Sequence, residues 1–143
     1  MNLTHDDIAR IGLMFIEGDA VEEALLDKYG PVDYDFDKFN QVRNVLGRMH
    51  RLAPDLDMVC VVWQQRPDNP DVVFPLVLCT SFPLEWWHKK KPNEFLKRAF
   101  SGLETVYERG GRCKSRYYPI CNSDGYVAGV LEILCDSTYH GDI

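Results

Sequence analysis

A chain of 143 residues is one domain's worth of polypeptide, long enough to bury a real core. Its hydrophobic fraction of 45%, with 12% aromatics, argues against a disordered chain, and no low-complexity tract or solenoid-period repeat interrupts it. A net charge of −6 argues against a nucleic-acid partner, because neutralising phosphates needs a basic surface.

The basic run His88-Lys89-Lys90-Lys91 lies beside Pro92 and reads as a solvated loop. No secretory signal is visible. The apolar stretch Ile11 to Ile16 is cut by Glu17-Gly18-Asp19, far short of the roughly 20 apolar residues of a membrane span. The expectation is a cytoplasmic protein, or a soluble piece of a larger one. Cys60, Cys79, Cys113, Cys121 and Cys135 form no Cys-x-x-Cys pair, which fits reduced, buried thiols in a reducing compartment.

In chain order, Thr4 followed by Asp7 resembles a helix-capping pair, and Ile8, Ile11, Phe15 and Ile16 recur near helical spacing. Gly18 breaks that helix and Ala20 to Tyr29 forms a second piece, ended by Gly30-Pro31. A longer helix begins near Asp35. Phe39, Val42, Leu46 and Met49 form its apolar stripe, widened by Val45 and Leu52, and Ala53-Pro54 stops it. The stripe reads as core, with a short dimer seam as the alternative.

From Pro54 the period changes. Met58 to Trp63 is a run too apolar to alternate, which predicts a strand covered on both faces. Pro67 to Asp71 is a turn, and Val72 to Cys79 is a second strand that Pro75 places at a sheet edge. An irregular segment from Ser81 to Pro92 carries Trp86-Trp87. Asn93 then caps a helix from Glu94 to about Ser101, with Gly102 beyond its end. Leu103 to Tyr107 is a third strand, Gly110-Gly111 a turn, and Arg112 to Cys121 with Tyr126 to Cys135 a closing hairpin. This order predicts an α+β domain, one antiparallel sheet with helices on its faces.

The closing hairpin carries a resemblance. Tyr117/Tyr118-Pro119-Ile120, the turn Ser123-Asp124-Gly125, and Val127-Ala128-Gly129-Val130-Leu131-Glu132-Ile133 look like the last two strands of PAS and Cache sensor domains. The element order over residues 35 to 136 agrees, Phe95 to Thr105 resembles the Cache helix before the third strand, and Asp136-Ser137-Thr138 resembles the Asp-x-Thr that closes many PAS domains. Cache domains sit between membrane segments, and none is visible here, which turns the resemblance toward a cytoplasmic PAS-like relative. The turn also has a local reason: Gly125 can adopt positive φ, and Asp124 or Asn122 can bond to nearby backbone.

The resemblance implies a PAS-like (profilin-like) five-stranded antiparallel sheet with N-terminal helices and a helical insertion between strands 2 and 3. It divides the chain into an N-terminal helical segment, 1–34, and a PAS/Cache-like sensor domain, 35–143. It also implies a pocket between sheet and insertion, where a small ligand would bias the arrangement of the N-terminal helices. Candidate ligand-binding residues are Trp86, Trp87 and His88 on the insertion, with Trp63, Arg116 and Tyr118 on facing strands. An aromatic wall with one guanidinium suits a small carboxylate or an amine. No cofactor or metal is expected: His88 is a lone candidate haem ligand, no Asn-Cys-Arg flavin motif is present, and cysteine spacings of 19, 34, 8 and 14 give no zinc pair.

Catalysis is not expected, since no nucleophile elbow, phosphate loop, His-Glu-x-x-His or dinucleotide glycine pattern occurs. Glu85, His88 and Glu104 as a catalytic group, or a thiol redox role for Cys113 or Cys121 with Arg112, Lys114 and Arg116 near Cys113, are weaker readings. The remaining alternative is a ligand-free dimerisation module of the same fold. In either case a homodimer through the N-terminal helices is expected, with residues 35 to 52 at its interface.

Overall fold

The computed structural model describes residues 3–24, 35–66, 68–78, 91–110 and 113–135. Trp86, Trp87 and His88 lie outside these residues, as do Glu85, Cys79, the expected stop at Gly30-Pro31 and Asp136-Ser137-Thr138.

Three helices come first: α1 (His5–Leu13), α2 (Gly18–Glu23) and α3 (Phe36–Leu52). They are followed by β1 (Val59–Arg66), β2 (Asn69–Leu78), α4 (Glu94–Phe100), β3 (Thr105–Gly110), β4 (Cys113–Cys121) and β5 (Val127–Leu134). The caps follow the local chemistry expected of them. Thr4 Oγ1 accepts the Asp7 amide at 3.1 Å while the Thr4 amide donates back to Asp7 at 2.9 Å, a reciprocal capping box. Asp35 accepts the amides of Asp37 and Lys38, and Asn93 accepts that of Leu96 at 2.8 Å.

The strands form one antiparallel sheet in the order β2-β1-β5-β4-β3, with β5 in the centre. Pro75 lies on β2, an edge strand as expected, opposite Trp63 of β1; the register slips beside it, between Val62 and Trp63. The β4–β5 turn is built by Asn122, whose side-chain oxygen accepts the amides of Asp124 and Tyr126, each at 3.0 Å. Gly125 completes it at φ +88°, a conformation that L side chains rarely adopt.

One face of the sheet is covered by α1, α2 and α3. Val42, Leu46 and Met49 of α3 are buried against Cys60, Val62, Leu76, Leu131 and Ile133, so the apolar stripe is core; Leu52, at its end, is 46% exposed. Ile8, Ala9, Ala20 and Val21 of α1 and α2 belong to the same cluster. Instead of merely breaking a helix, Gly18 opens α2 at a very close approach: a Cβ there would lie 1.9 Å from the Cys121 carbonyl oxygen. Gly129 does the same for the sheet, letting Val21 settle on β5. Polar ties hold α2 in place. Gln64 donates to the Val21 carbonyl at 2.6 Å, Ser123 donates its amide to Asp19 at 2.9 Å, and Asn122 donates to Glu22 at 2.8 Å.

The opposite face is covered by α4, whose Leu96 and Ala99 pack with Val61, Trp63, Tyr117, Val130 and Leu134. The expectation of buried thiols holds for Cys60; Cys135 is half-buried, and Cys121 is exposed because it lies at the end of β4.

Candidate functional site

β5 reads Val127-Ala-Gly-Val-Leu-Glu-Ile-Leu134, and side chains alternate between faces along it. Val130, Glu132 and Leu134 therefore point toward α4, which puts a carboxylate near the middle of the central strand. Glu132 is completely buried. A charge taken out of water must be met by partners, and this one is. Trp63 Nε1 donates to one carboxylate oxygen at 2.7 Å, and Ser115 Oγ donates to the other at 2.6 Å. The Arg109 guanidinium, itself 3% exposed, lies 3.5 Å from that second oxygen.

Arg109 binds the group together. Its Nε donates to Ser115 Oγ at 2.8 Å and its Nη2 to the Tyr117 hydroxyl at 3.2 Å, while its guanidinium lies over the Tyr107 ring at 4.7 Å. Burial, together with the negative charge of Glu132, pushes the Tyr117 hydroxyl well above the ordinary tyrosine range, so it is neutral and accepts from Arg109. Two links run from the cluster to α4. Asn93 Nδ2 donates to the Tyr117 hydroxyl at 3.0 Å while its oxygen caps the helix, and Phe95 stacks on Tyr107 with ring centres 4.8 Å apart.

The sequence-derived candidates divide between the two faces. Trp63 joins Glu132 on the α4 face. Tyr118 is buried on the helical face, donating to Asp6 at 2.7 Å and lying beneath the Arg10 guanidinium. Arg116, two residues before Tyr118 on β4, shares Tyr118's parity, and among the described residues its Nε meets no hydrogen-bond acceptor. The expected wall of Trp63, Arg116 and Tyr118 is thus corrected: parity in β4 and the β1–β5–β4 register put Trp63 on one side of the sheet and the other two on the opposite side. The guanidinium on Trp63's side is that of Arg109. Trp86, Trp87 and His88 lie outside the described residues.

Glu132, Arg109, Ser115, Tyr117 and Asn93 are the residues that sequence reasoning missed. Glu132 had a signal, being the lone charge in an otherwise apolar strand. Arg109 had none, because the third strand is expected to stop at Tyr107 and it runs on to Gly110. Among the described residues, no three His, Cys, Asp or Glu side chains converge as metal ligands, and no helix is long and apolar enough to cross a membrane.

Sheet order, helical cover and topology define a PAS/GAF-like α+β fold. A solved structure of a GAF domain superposes on the chain with a TM-score of 0.53 at 13% identity, covering 98% of this chain and 79% of that one. At that identity the likeness is one of fold. No family model and no curated protein matches the sequence.

Proposed function

We propose that this chain is a small-molecule-binding sensory domain in signal transduction, with its ligand site on the α4 face of the sheet and no catalytic step. The observation that carries the reading is the buried pair of Glu132, on the central strand, with Arg109, which reaches it from edge strand β3. Apolar residues of similar volume commonly give equal or greater stability than a buried ion pair, so stability alone is a poor reason for one. Recognition is a better reason. A small carboxylate would compete with Glu132 for Arg109, and an amine would compete with Arg109 for Glu132. Trp63 and Tyr107 supply aromatic surface to either.

Ligand exchange at the pair would reach α4 through Asn93 and Phe95. It would reach the helical face through β5, where Leu131 and Ile133 flank Glu132 and pack beneath α1 to α3. The signal is then a shift between two arrangements of the N-terminal helices, driven by a difference in ligand affinity for the two. The fold likeness and the sequence resemblance of the closing hairpin support the same class of role.

Native mass spectra recorded beside denaturing ones test this. A stoichiometric small mass that disappears on denaturation, and is absent from an Arg109→Leu variant, is the expected result. A bare chain whose melting temperature is unmoved by a panel of small carboxylates and amines would overturn the reading and leave the dimerisation module in its place.

A further inference from the structure

On the helical side, a long groove runs along α3, bounded across from it by the end of α1, the residues that join α1 to α2, and the start of α2. Two adjoining clefts of about 390 and 200 Å³ share Phe15, Val45 and Arg48. The floor of the smaller is apolar, made by Ile11, Phe15, Val45, Met49 and Leu52. Phe15 is 61% exposed and neighbouring Met14 79%, and with Leu52 at 46% they leave apolar surface open to water along the groove. Their exposure has a local cause: α1 stops at Leu13, and the amides of Phe15 and Ile16 both turn back to the Gly12 carbonyl, sending Ile16 inward and Phe15 out.

The wall of the groove has the opposite sign to the rest of the molecule. In a chain of net charge −6, α3 carries Lys38, Arg43, Arg48 and Arg51 against the single acid Asp37. Lys38 and Arg48 line the groove, Arg51 lies one turn beyond Arg48 on the exposed side, and Glu17 is the one acid among the lining residues. Lys38 pairs with Glu23; Arg48 and Arg51 form no ion pair with any described residue.

We propose that this groove docks an amphipathic, acidic helix of a partner protein. Apolar anchors at helical spacing would lie on Phe15, Val45 and Leu52, and flanking carboxylates would meet Arg48, Arg51 and Lys38. The dimensions fit: Lys38 to Leu52 spans about 21 Å at 1.5 Å per residue, room for a helix of roughly four turns. A nucleic-acid phosphate backbone would leave the apolar floor unused. A second copy docked α3 to α3 would set four cations against four, which is the electrostatic argument against the homodimer seam expected over residues 35 to 52. The inference is independent of the ligand site, which lies on the other side of the sheet.

The test uses a fluorescein-labelled designed peptide of about 15 residues with leucines at 3,4 spacing and glutamates on both flanks. A twin carries lysines in place of the glutamates. Anisotropy should show the acidic peptide binding and the basic twin failing, with affinity falling as salt rises. Arg48→Glu with Arg51→Glu should weaken binding about tenfold or more, as should Phe15→Ser, each in protein that melts at the wild-type temperature. Amide shifts on titration should fall on residues 11–20 and on α3. Equal binding of the two peptides, no binding of either, or shifts elsewhere would overturn the proposal. So would a concentration-dependent dimer that covers Phe15, which would assign the groove to a second copy.

Discussion

Tyr117 and Tyr118 are neighbours in β4, and they enter two different kinds of interior. Tyr118 joins the helical face, where α1, α2 and α3 meet the sheet mainly through apolar side chains, with one buried polar tie from Gln64 to the Val21 carbonyl and others nearer the rim, as in Tyr118 to Asp6 and Asn122 to Glu22. Tyr117 joins the α4 face, where a smaller apolar cluster surrounds a charge pair hydrogen-bonded to Trp63, Ser115 and Tyr117, with Asn93 bonded in turn to Tyr117. The helical face is organised by area and shape, whereas the α4 face is organised by satisfaction of polar atoms. The first should tolerate substitutions at its rim, and the second should be most sensitive to loss of either member of the charge pair. That difference also divides the roles proposed above, with ligand recognition on the polar side and partner docking on the apolar one.

Substitutions should separate the two interiors by size of effect. Glu132→Ala removes the carboxylate that balances the buried Arg109 charge and accepts the Trp63 N–H, and should cost about 3–5 kcal/mol, read from urea denaturation midpoints. Leu46→Ala, a cavity on the helical face, should cost roughly 2–5 kcal/mol by the same measurement. If the faces are independent, the double variant should be additive to within about 0.5 kcal/mol; a larger coupling would show that β5 transmits strain between them. Gly18→Ala forces α2 away from the Cys121 carbonyl and should cost about 1–3 kcal/mol, with amide exchange speeding up in α2 and the 122–126 turn before anywhere else. Asn93→Ala removes a cap and a partner of Tyr117 and should cost about 1 kcal/mol; a much smaller loss would mean that the link from α4 to the cluster carries little.

The smallest effects should come with pH. Burial first, then the Asp6 hydrogen bond, raises the Tyr118 hydroxyl; burial first, then Glu132, raises that of Tyr117. A group whose native pKa is raised stabilises fully below its unfolded pKa, so stability should hold up to about pH 10 and fall above it as the unfolded tyrosines ionise. At the acid end the sign reverses. The Thr4 backbone and hydroxyl lower Asp7, the Ser123 amide lowers Asp19, and Lys97 lowers Asp71. Their contribution is complete above about pH 4 and should be lost as the pH falls below it. Denaturation midpoints across this range check both arms, and a Tyr117→Phe variant should flatten part of the alkaline one.

Legibility in the sequence followed the range of the interactions. The caps at Thr4 and Asn93, the helix start near Asp35, the turn at Asn122 and Gly125, and the edge position of Pro75 are all set by residues within a few positions of one another, and they are where the sequence places them. Parity along β4 was equally local, and it put Arg116 with Tyr118. Whether Trp63 faced them depended on how β1 registers on β5 and β5 on β4, pairings between residues about 70 and 15 positions apart that no local pattern encodes. Glu132 stood out as a charge in an apolar strand, but its meaning came from Trp63, Ser115 and Arg109, which only the assembled sheet brings to it.

The central position of β5 also has a temporal consequence. It is the last of the described strands to be synthesised, yet β1 and β4 both pair with it and with nothing else on their inner edges. Until residues 127–134 leave the ribosome, β1–β2 and β3–β4 are two separate hairpins, each with an open edge, and α2 has no completed turn to settle on. The sheet therefore closes in one late, long-range event, so folding should be slow for a domain of this size and the nascent chain most prone to aggregate just before it closes.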